Sequence, residues 1–381
     1  MVVQQLQWNA GEELGDLTSL AKIDPQWLLV FAAPAWFSDR DLFATLRARF
    51  PAARLSGCST AGEITRRGVS DDSCVITAVH WSAEPPIVAV TELTSPDDSL
   101  AAGMRLGHQL GTPSAVVVFT PGVDINGSAL LEGLVASLPL ATPVVGGLAG
   151  DNGAFRQTFT LSDQGVSSRA IVAAGLPPGM AVSYGSFGGW QPFGPAHKVT
   201  RSHGNILFEL DGEPALAVYK RQLGEHADGL PRSGLMFPFE MLSSDHAKTG
   251  LIRTMHRIDE SNGSLVLAGD IDRRGYLRLM HASNDALVDG AEIAAKTTIA
   301  HIGDCSSLAL LISCVGRKLV MGDRVDEEVK AAVSILGAAV VAGFYSYGEI
   351  SPMSTGGACQ LHNQTMTITC FMDAAGAGRH A

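Results

Sequence analysis

The chain has 381 residues, of which 46% are hydrophobic and 17% are charged, and its net charge is −11. This composition is too apolar for a disordered chain, and the length favours two or three domains with a sizeable core. The negative charge argues against nucleic acids and anionic membranes as partners, because both repel an acidic chain.

The sequence carries no signal for a membrane or for secretion. The longest apolar stretch, residues 333–344, is interrupted by glycines and is too short to span a bilayer. The first 17 residues contain three acidic and no basic residues, unlike a signal peptide. The six cysteines form no CxxC motif, which argues against a zinc ribbon or a disulfide framework. We therefore expect a cytoplasmic protein with reduced thiols.

One pattern recurs three times along the chain: an apolar strand, a polar loop, an amphipathic helix, and a second apolar strand that ends at a glycine. The copies run from strand 27–32 to Gly57, from strand 115–120 to Gly146, and from strand 308–314 to Gly343. Counted from Leu28, Val116 and Leu310, the glycines follow after 29, 30 and 33 residues. Such near-equal spacing is typical of an internal repeat.

The glycine-rich segments after the first and third copies are closely related. Residues 57–64 and residues 343–350 both read G-x-x-x-x-G-E-I, whereas residues 146–151 read G-G-L-A-G-D. Because the shared motif lies at opposite ends of the chain, it predicts two related halves. We expect the three glycine loops to converge on one pocket.

The segments between the copies favour further strands and helices. Strands are predicted over 74–81, 86–93, 155–161, 170–175 and 180–187, helices over 214–223 and 286–296, and a hairpin over 264–280. The repeated units supply parallel strands and the hairpins supply antiparallel strands. Together they predict an α/β fold with mixed sheets.

The glycine loops and several other segments resemble the bacterial FIST proteins, named for F-box and intracellular signal transduction. The matching segments are 57–64, 145–151, 211–216, 313–317, 343–352 and 362–365. The resemblance implies two tandem related domains, a FIST N domain over 25–215 and a FIST C domain over 216–372. It also implies a sensor that binds a small ligand and regulates a partner such as a histidine kinase or a cyclic-di-nucleotide enzyme.

The resemblance leaves the ligand open. Some FIST proteins of this length resemble nitric-oxide-sensing hemoproteins, which implies heme b as cofactor in one version of the hypothesis. Such a heme needs one axial histidine and an apolar pocket. His362, in the family-like segment 362–365, is the first candidate for the axial ligand, with a structural role as the alternative. A sensor of amino acids or other small anions without heme is the competing interpretation.

The glycine loops supply most of the candidate ligand contacts. Glycines at strand ends let the backbone approach a ligand and leave N–H groups free for an anion, whereas tight turns required by packing are the alternative. The candidates are Gly57, Cys58, Ser59, Thr60, Glu63, Gly146, Gly147, Asp151, Tyr345, Tyr347 and Glu349. Arg317 joins them, either as a clamp for a carboxylate, including a heme propionate, or in a salt bridge to Glu349.

An enzymatic interpretation rests on Cys58. A thiol after a strand acts as a nucleophile if a histidine lowers its pKa, and the chain would then be a hydrolase or transferase. Glu63 and Glu349 offer a nucleophile or base for the same classes of enzyme. However, Phe344 aligns with Cys58 in the third loop, so the shared role of the loops needs no thiol. We favour a sensor without catalytic residues.

Overall fold

The computed structural model describes residues 1–38, 41–300, 302, 305, 307–352 and 357–373. The three predicted strand-helix-strand units are present, and in each the second strand lies parallel to the first. The predicted α/β class with mixed sheets is confirmed.

The first unit occupies the beginning of the chain. Its elements are β1 (Val2–Trp8), α1 (Thr18–Ala21), β2 (Trp27–Ala32), α2 (Ala35–Ser38), α3 (Leu42–Arg49), β3 (Arg54–Ser59), β4 (Glu63–Thr65), β5 (Gly68–Ser70) and β6 (Cys74–His80). Asp41 caps α3, because its carboxylate accepts a hydrogen bond from the Ala44 amide at 3.3 Å. Strand β2 is buried along its whole length, which explains its unbroken apolar sequence.

The second unit repeats this order. Its elements are β7 (Ile87–Glu92), α4 (Ser99–Leu110), β8 (Val116–Thr120), α5 (Gly127–Ala136), β9 (Val144–Leu148), β10 (Thr160–Ser162), β11 (Gly165–Ser167) and β12 (Ala170–Gly175). Strand β10 is shorter than the predicted strand 155–161. The amides of residues 155, 156 and 157 donate to the Asp151 carboxylate, so they form a turn and do not pair with a strand.

The third unit begins with β13 (Met180–Phe187) and is then interrupted by an inserted domain. The inserted domain comprises β14 (Gln191–His203), β15 (Ile206–Leu210), β16 (Glu213–Pro214), α6 (Ala215–Leu223), β17 (Phe239–Leu242), β18 (Lys248–Arg253), β19 (Met255–Asp259), β20 (Ser264–Leu267) and β21 (Tyr276–His281). The third unit resumes with α7 (Asn284–Ile299), β22 (Leu308–Cys314), α8 (Val315–Met321), α9 (Asp326–Ile335), β23 (Val340–Ser346), β24 (Gly348–Pro352), β25 (Cys359–His362) and β26 (Met366–Asp373).

The inserted domain has its own eight-stranded sheet, in the order β18-β17-β21-β14-β15-β20-β19 with β16 paired to β15. The predicted hairpin over 264–280 is wrong, because β20 pairs with β15 and β19 while β21 pairs with β14 and β17. The segment between β20 and β21 contacts the turn between β14 and β15, since the Ile271 amide donates to the Gly204 carbonyl at 3.1 Å. The division predicted between residues 215 and 216 falls in the first turn of α6, inside this domain.

The three units form a closed ring in which each lends a hairpin to a neighbour. The sheets have equivalent orders, β1-β6-β2-β3-β10-β11, β7-β12-β8-β9-β24-β25 and β13-β26-β22-β23-β4-β5. The hairpin that follows β3 in the sequence therefore pairs with β23, the one that follows β9 pairs with β3, and the one that follows β23 pairs with β9. Three equivalent units with this cyclic exchange of hairpins give the ring an approximate threefold symmetry.

The cysteines depart from the expectation of reduced thiols. Cys305 and Cys370 form a disulfide with Cα atoms 5.9 Å apart, whereas the other four cysteines form no disulfide in the described part of the chain. The bonded pair is 65 residues apart, so no local motif reveals it. Of the helices that the structure describes, none is long and apolar enough to cross a membrane.

Candidate functional site

The three glycine loops meet at the threefold axis and bond to one another. The Gly150 amide donates to the Ser59 carbonyl at 2.8 Å, the Tyr347 amide to the Leu148 carbonyl at 3.2 Å, and the Ala61 amide to the Tyr345 carbonyl at 2.8 Å. These are equivalent positions in the three units. The loops converge as expected, but they satisfy one another's backbone groups and leave none of these three amides for a ligand.

Gly57, Gly146 and Gly343 lie inside strands β3, β9 and β23, which corrects their placement in loops. A Cβ atom on them would lie 1.9, 1.9 and 2.0 Å from the carbonyl oxygens of Val30, Val118 and Leu311 on the parallel partner strands. No side chain fits at that distance. The recurring glycines are thus required by strand packing at equivalent positions of the ring.

The residues after Gly57 are buried as well. Cys58 is 0% exposed, and burial raises the pKa of its thiol well above the ordinary value. The Ser59 hydroxyl donates to the Gly150 carbonyl at 2.7 Å and accepts from the Phe159 amide at 2.8 Å. A protonated thiol without access to solvent is a poor nucleophile, so this arrangement does not support an enzyme based on Cys58.

Glu63 and Glu349 occupy equivalent positions with equivalent partners. Glu63 accepts hydrogen bonds from the Thr60 hydroxyl and, at 3.0 and 2.5 Å, from the amide and hydroxyl of Ser73. Glu349 accepts from the Ser346 hydroxyl at 2.7 Å and from the amide and hydroxyl of Thr365 at 3.1 and 2.9 Å. Each carboxyl thereby connects a lent hairpin to the residue that immediately precedes β6 or β26.

The position that Glu63 and Glu349 occupy does not need a carboxylate, because the second unit has a threonine there. Glu63 pairs with Phe344, Glu349 with Gly147 and Thr160 with Cys58, each the residue after a strand glycine. Thr160 takes the third position, and its hydroxyl donates to the Ala170 carbonyl at 2.8 Å. The two glutamates are therefore special to the first and third hairpins.

Burial raises the pKa of both Glu63 and Glu349 to about 7, against the opposing effect of their hydrogen bonds. Between the unfolded value of 4.5 and about 7 the folded chain binds more protons than the unfolded chain. We therefore expect the free energy of unfolding to fall as the pH rises through this window, by at most about 1.4 kcal/mol per pH unit for each group. Urea denaturation at a series of pH values measures this slope.

Glutamine at both positions removes the titrating groups, so Glu63→Gln/Glu349→Gln should flatten the pH dependence between pH 4.5 and 7. Glu84→Gln, at an exposed site, is the control and should keep the slope of the unsubstituted chain. An unchanged slope in the double variant would contradict the assignment of these protons.

Arg317 pairs with Glu328 and not with Glu349. The guanidinium and the carboxylate are both 0% exposed and lie 2.7 Å apart, and Glu328 also accepts from the hydroxyls of Ser313 at 2.9 Å and Tyr345 at 2.6 Å. The remaining guanidinium donors contact the carbonyls of Gly188, Gln364 and Leu287. Arg317 is therefore fully engaged inside the fold and is not free to clamp a ligand.

Asp151 and Tyr347 form a second buried cluster near the axis. The Tyr347 hydroxyl donates to the Asp151 carboxylate, and its ring stacks on Phe155 at 4.0 Å. Asp151 also accepts the three turn amides described above. Burial raises the pKa of Tyr347 far above its ordinary range, so the phenol stays protonated as a donor.

Three of the clefts on the described surface are lined by no residue of the glycine loops that the sequence proposed. The largest, about 670 Å³, lies beside Arg156 and Arg169 of the second unit, both of them exposed. The second, about 460 Å³, is lined by α5, by Arg253 and Asp270 of the inserted domain, and by β25; we call it the arginine cleft. The third, about 330 Å³, lies where β13 enters the inserted domain beside His362, and we call it the linker cleft.

A heme does not fit the linker cleft at His362. The volume of about 330 Å³ is near the lower limit for small-molecule sites. Glu240 is the one charged residue that lines this cleft, and it already pairs with Arg278 at 2.5 Å, so no lining cation meets the heme propionates. The neighbourhood of His362 thus favours a small ligand without such anionic groups.

Arg253 in the arginine cleft was missed by the sequence interpretation. Its side chain is 3% exposed, with Nε 3.1 Å from the Asp270 carbonyl and Nη1 3.1 and 3.0 Å from the carbonyls of Ile252 and Leu361. Among the described ion pairs none involves Arg253. The one signal in the sequence is a lone arginine that follows two apolar residues, Leu251 and Ile252, at the end of a strand.

Comparison with known proteins identifies the relatives of the chain. The FIST N domain family matches residues 26–213 and the FIST C domain family matches residues 215–352. An uncharacterized protein of Mycobacterium tuberculosis is 26% identical over 343 residues, covering 87% of each chain. An uncharacterized protein of Mycobacterium bovis is 26% identical over 272 residues, which is 68% of this chain and 65% of the relative.

Among solved structures, a cyanuric acid hydrolase of A. caulinodans aligns with 98% of this chain and 99% of its own at 9% identity. Its TM-score is 0.37, so this alignment carries no argument about activity. The two family matches together cover most of the chain, from residue 26 to residue 352. The chain belongs to the FIST family, with a FIST N domain followed by a FIST C domain.

Proposed function

We propose that the chain is a bacterial, cytoplasmic sensor that binds a small zwitterionic carboxylate in the arginine cleft, without heme. The conformational change on binding would regulate a separate signalling protein, such as a histidine kinase or a cyclic-di-nucleotide enzyme. The family supports a role in signal transduction, and the observation that carries the ligand assignment is the buried guanidinium of Arg253.

A buried cation that hydrogen-bonds only to carbonyl groups is costly, because no carboxylate is bonded to it directly. Burial lowers the pKa of Arg253 to about 10, against the opposing effect of the Asp270 charge. Nη2 of Arg253 has no hydrogen-bond partner among the described residues. Arg253 itself lines the cleft. A ligand carboxylate would supply both a directly bonded counter-ion and the missing acceptor.

The residues around Arg253 leave space for its guanidinium and fix its position. A Cβ atom on Gly269 would lie 2.9 Å from its Nε and 3.0 Å from its Cζ, so only glycine leaves the space it occupies. Asp270 is held by the Asn126 amide nitrogen at 3.0 Å and by Ser128, which accepts from the Asp270 amide at 3.4 Å. The site is therefore fixed by contacts between the inserted domain and α5.

The remaining charges of the cleft select for a zwitterion. Asp270 and Glu132 line the same cleft as Arg253, so its formal charge is negative overall. A plain anion would meet these two carboxylates, whereas a ligand that also carries an ammonium group would bind them. Leu131 and Val135 offer apolar contacts for a short aliphatic body.

The position of the cleft suits a sensor. Ser128 and Leu131 belong to the FIST N domain, and Arg253 belongs to the FIST C domain. A ligand between them contacts both domains at once, and its binding energy then favours one relative arrangement of the two. Such a shift is what a partner protein would recognise.

Isothermal titration calorimetry with three matched probes tests the proposal. L-Valine carries both charged groups, isovalerate lacks the ammonium group and isobutylamine lacks the carboxylate. We expect saturable binding of L-valine, at least tenfold weaker binding of isovalerate and no measurable binding of isobutylamine. Equal affinity for isobutylamine, or failure of both carboxylates to bind, would overturn the proposal.

Two variants connect the binding to the cleft. Arg253→Met should abolish L-valine binding, whereas Arg257→Met, at an exposed arginine of the same domain, should not change it. Glu132→Gln changes an exposed residue and should bring the affinities for L-valine and isovalerate closer together without affecting folding. Hemin titration of the unsubstituted protein completes the test, and a stoichiometric Soret band lost in His362→Ala would favour the nitric-oxide-sensing version instead.

A further inference from the structure

The linker cleft has the features of a separate ligand site. It lies between the ring and the inserted domain, on the opposite side of β25 from Arg253: Leu361 lines the arginine cleft and His362 lines the linker cleft. Its walls include Phe187, Trp190 and Met280, and Phe187 is 42% exposed at the rim. Aromatic and sulfur-containing walls suit a flat apolar molecule.

His362 gives this cleft a polar atom that has no partner within the described chain. Its Nε2 lies 3.0 Å from the Ser351 carbonyl oxygen, and because a carbonyl only accepts, Nε2 must carry the proton. Burial lowers the pKa of His362 to about 4, so the ring is neutral at physiological pH and Nδ1 is a bare acceptor. Nδ1 has no hydrogen-bond partner among the described residues.

The turn after His362 also has unused hydrogen-bonding capacity. The side-chain amide of Asn363 is 1% exposed, yet neither its Nδ2 nor its Oδ1 has a partner, and the Gln364 Oε1 is likewise unpaired. These are three of the six buried side-chain atoms without partners in the described chain. Such a concentration is uncommon in folded proteins. Neither Asn363 nor Gln364 lines the linker cleft, however, so the polar contact of this site rests on His362.

We propose that the linker cleft binds a small, flat aromatic molecule that carries one N–H donor. The ring of the ligand packs between the aromatic walls, and its N–H donates to Nδ1 of His362. This site is distinct from the arginine cleft, so both can be occupied at once, and the proposal does not depend on the zwitterion assignment.

The cleft is joined to the ring by two sets of contacts. Thr365, which lines the cleft, donates both its amide and its hydroxyl to Glu349 of the lent hairpin. Gly188, also in the lining, accepts a hydrogen bond from Arg317. A ligand here would therefore pack against both the linker and the turn that holds the hairpin of the third unit, so the proposed site joins the ring to the inserted domain.

Indole is the probe, because it is flat and aromatic and has a single N–H group. Calorimetric titration should show saturable binding of indole to the full chain, and 1-methylindole, which has no N–H donor, should bind at least tenfold more weakly. His362→Phe keeps a planar ring but removes the acceptor, so it should weaken indole binding at least tenfold and abolish the preference over 1-methylindole. His108→Phe, at an exposed site on α4, is the matched control and should bind like the unsubstituted chain.

The comparison of the two indoles needs no variant, so it remains decisive if His362→Phe does not fold. Phe187→Ala, at the exposed rim, should weaken both indoles to the same degree, because it removes stacking and not the hydrogen bond. The proposal is overturned if indole does not saturate or if 1-methylindole binds as tightly as indole. L-Valine binding should persist in Phe187→Ala, which separates a failure here from a failure of the arginine cleft.

Discussion

Gly57→Ala should destabilise the chain by at least about 3 kcal/mol, because the added methyl group has no space beside the Val30 carbonyl. The parallel pair β2 and β3 would have to separate to admit it. Gly57 has no left-handed backbone angle, so the effect is steric and not conformational. Urea denaturation followed by tryptophan fluorescence measures the loss.

The equivalent glycine of the third unit, Gly343, provides a second test of the same effect. Gly343→Ala places its methyl group 2.0 Å from the Leu311 carbonyl and should cost as much as the change at Gly57. Gly15→Ala is the control, since its Cβ atom would lie 3.2 Å from the Trp8 ring nitrogen at an exposed position. A loss below about 1 kcal/mol at either strand glycine would mean that the neighbouring strand yields easily.

Arg317→Met should cost about 3–5 kcal/mol of stability, because it leaves the Glu328 carboxylate buried without its counter-ion. The same change frees the carbonyls of Leu287 and Gly188 from their donor. The free energy of unfolding at neutral pH is the measurement. Adding Glu328→Leu should recover part of the loss, since the double variant no longer buries an unpaired charge.

An exposed ion pair supplies the control for Arg317. Arg221 and Glu213 lie 2.8 Å apart, but both side chains are more than half exposed. Arg221→Met should therefore change the free energy of unfolding by less than about 1 kcal/mol. An effect this small for Arg317→Met would contradict the prediction and would mean that the Glu328 carboxyl takes up a proton or becomes hydrated in the variant.

The repeated units could be predicted because their signals are local. Apolar runs, helix faces and the glycine after each second strand follow from residues close in the sequence, and the meeting of the loops follows from their shared position. The partner of Arg317 could not be predicted this way. Glu328 lies 11 residues further on, beyond the break between α8 and α9, and no helical spacing relates the two.

The proposed ligand site depends on contacts between segments that are far apart in the sequence. Arg253 belongs to a strand whose other residues are partly exposed, so its burial is decided by the packing of α5 and β25 against it. The glycine motif predicted a ligand site at the threefold axis, but its glycines are required there for the packing of the ring. A strand glycine required by packing and a loop glycine that holds a ligand look alike in a single sequence.

Because the units exchange hairpins cyclically, the first hairpin can pair with its partner strand only late in translation. Strands β4 and β5 are complete by residue 70, but their partner strand β23 begins at residue 340. At a synthesis rate of about 5–20 residues per second this hairpin waits roughly 14–54 s for the strand it joins. Throughout that time the nascent chain carries unpaired strand edges, which other chains can capture. Protection during translation is thus a requirement built into the ring, because its first hairpin is fastened only when its last unit has been made.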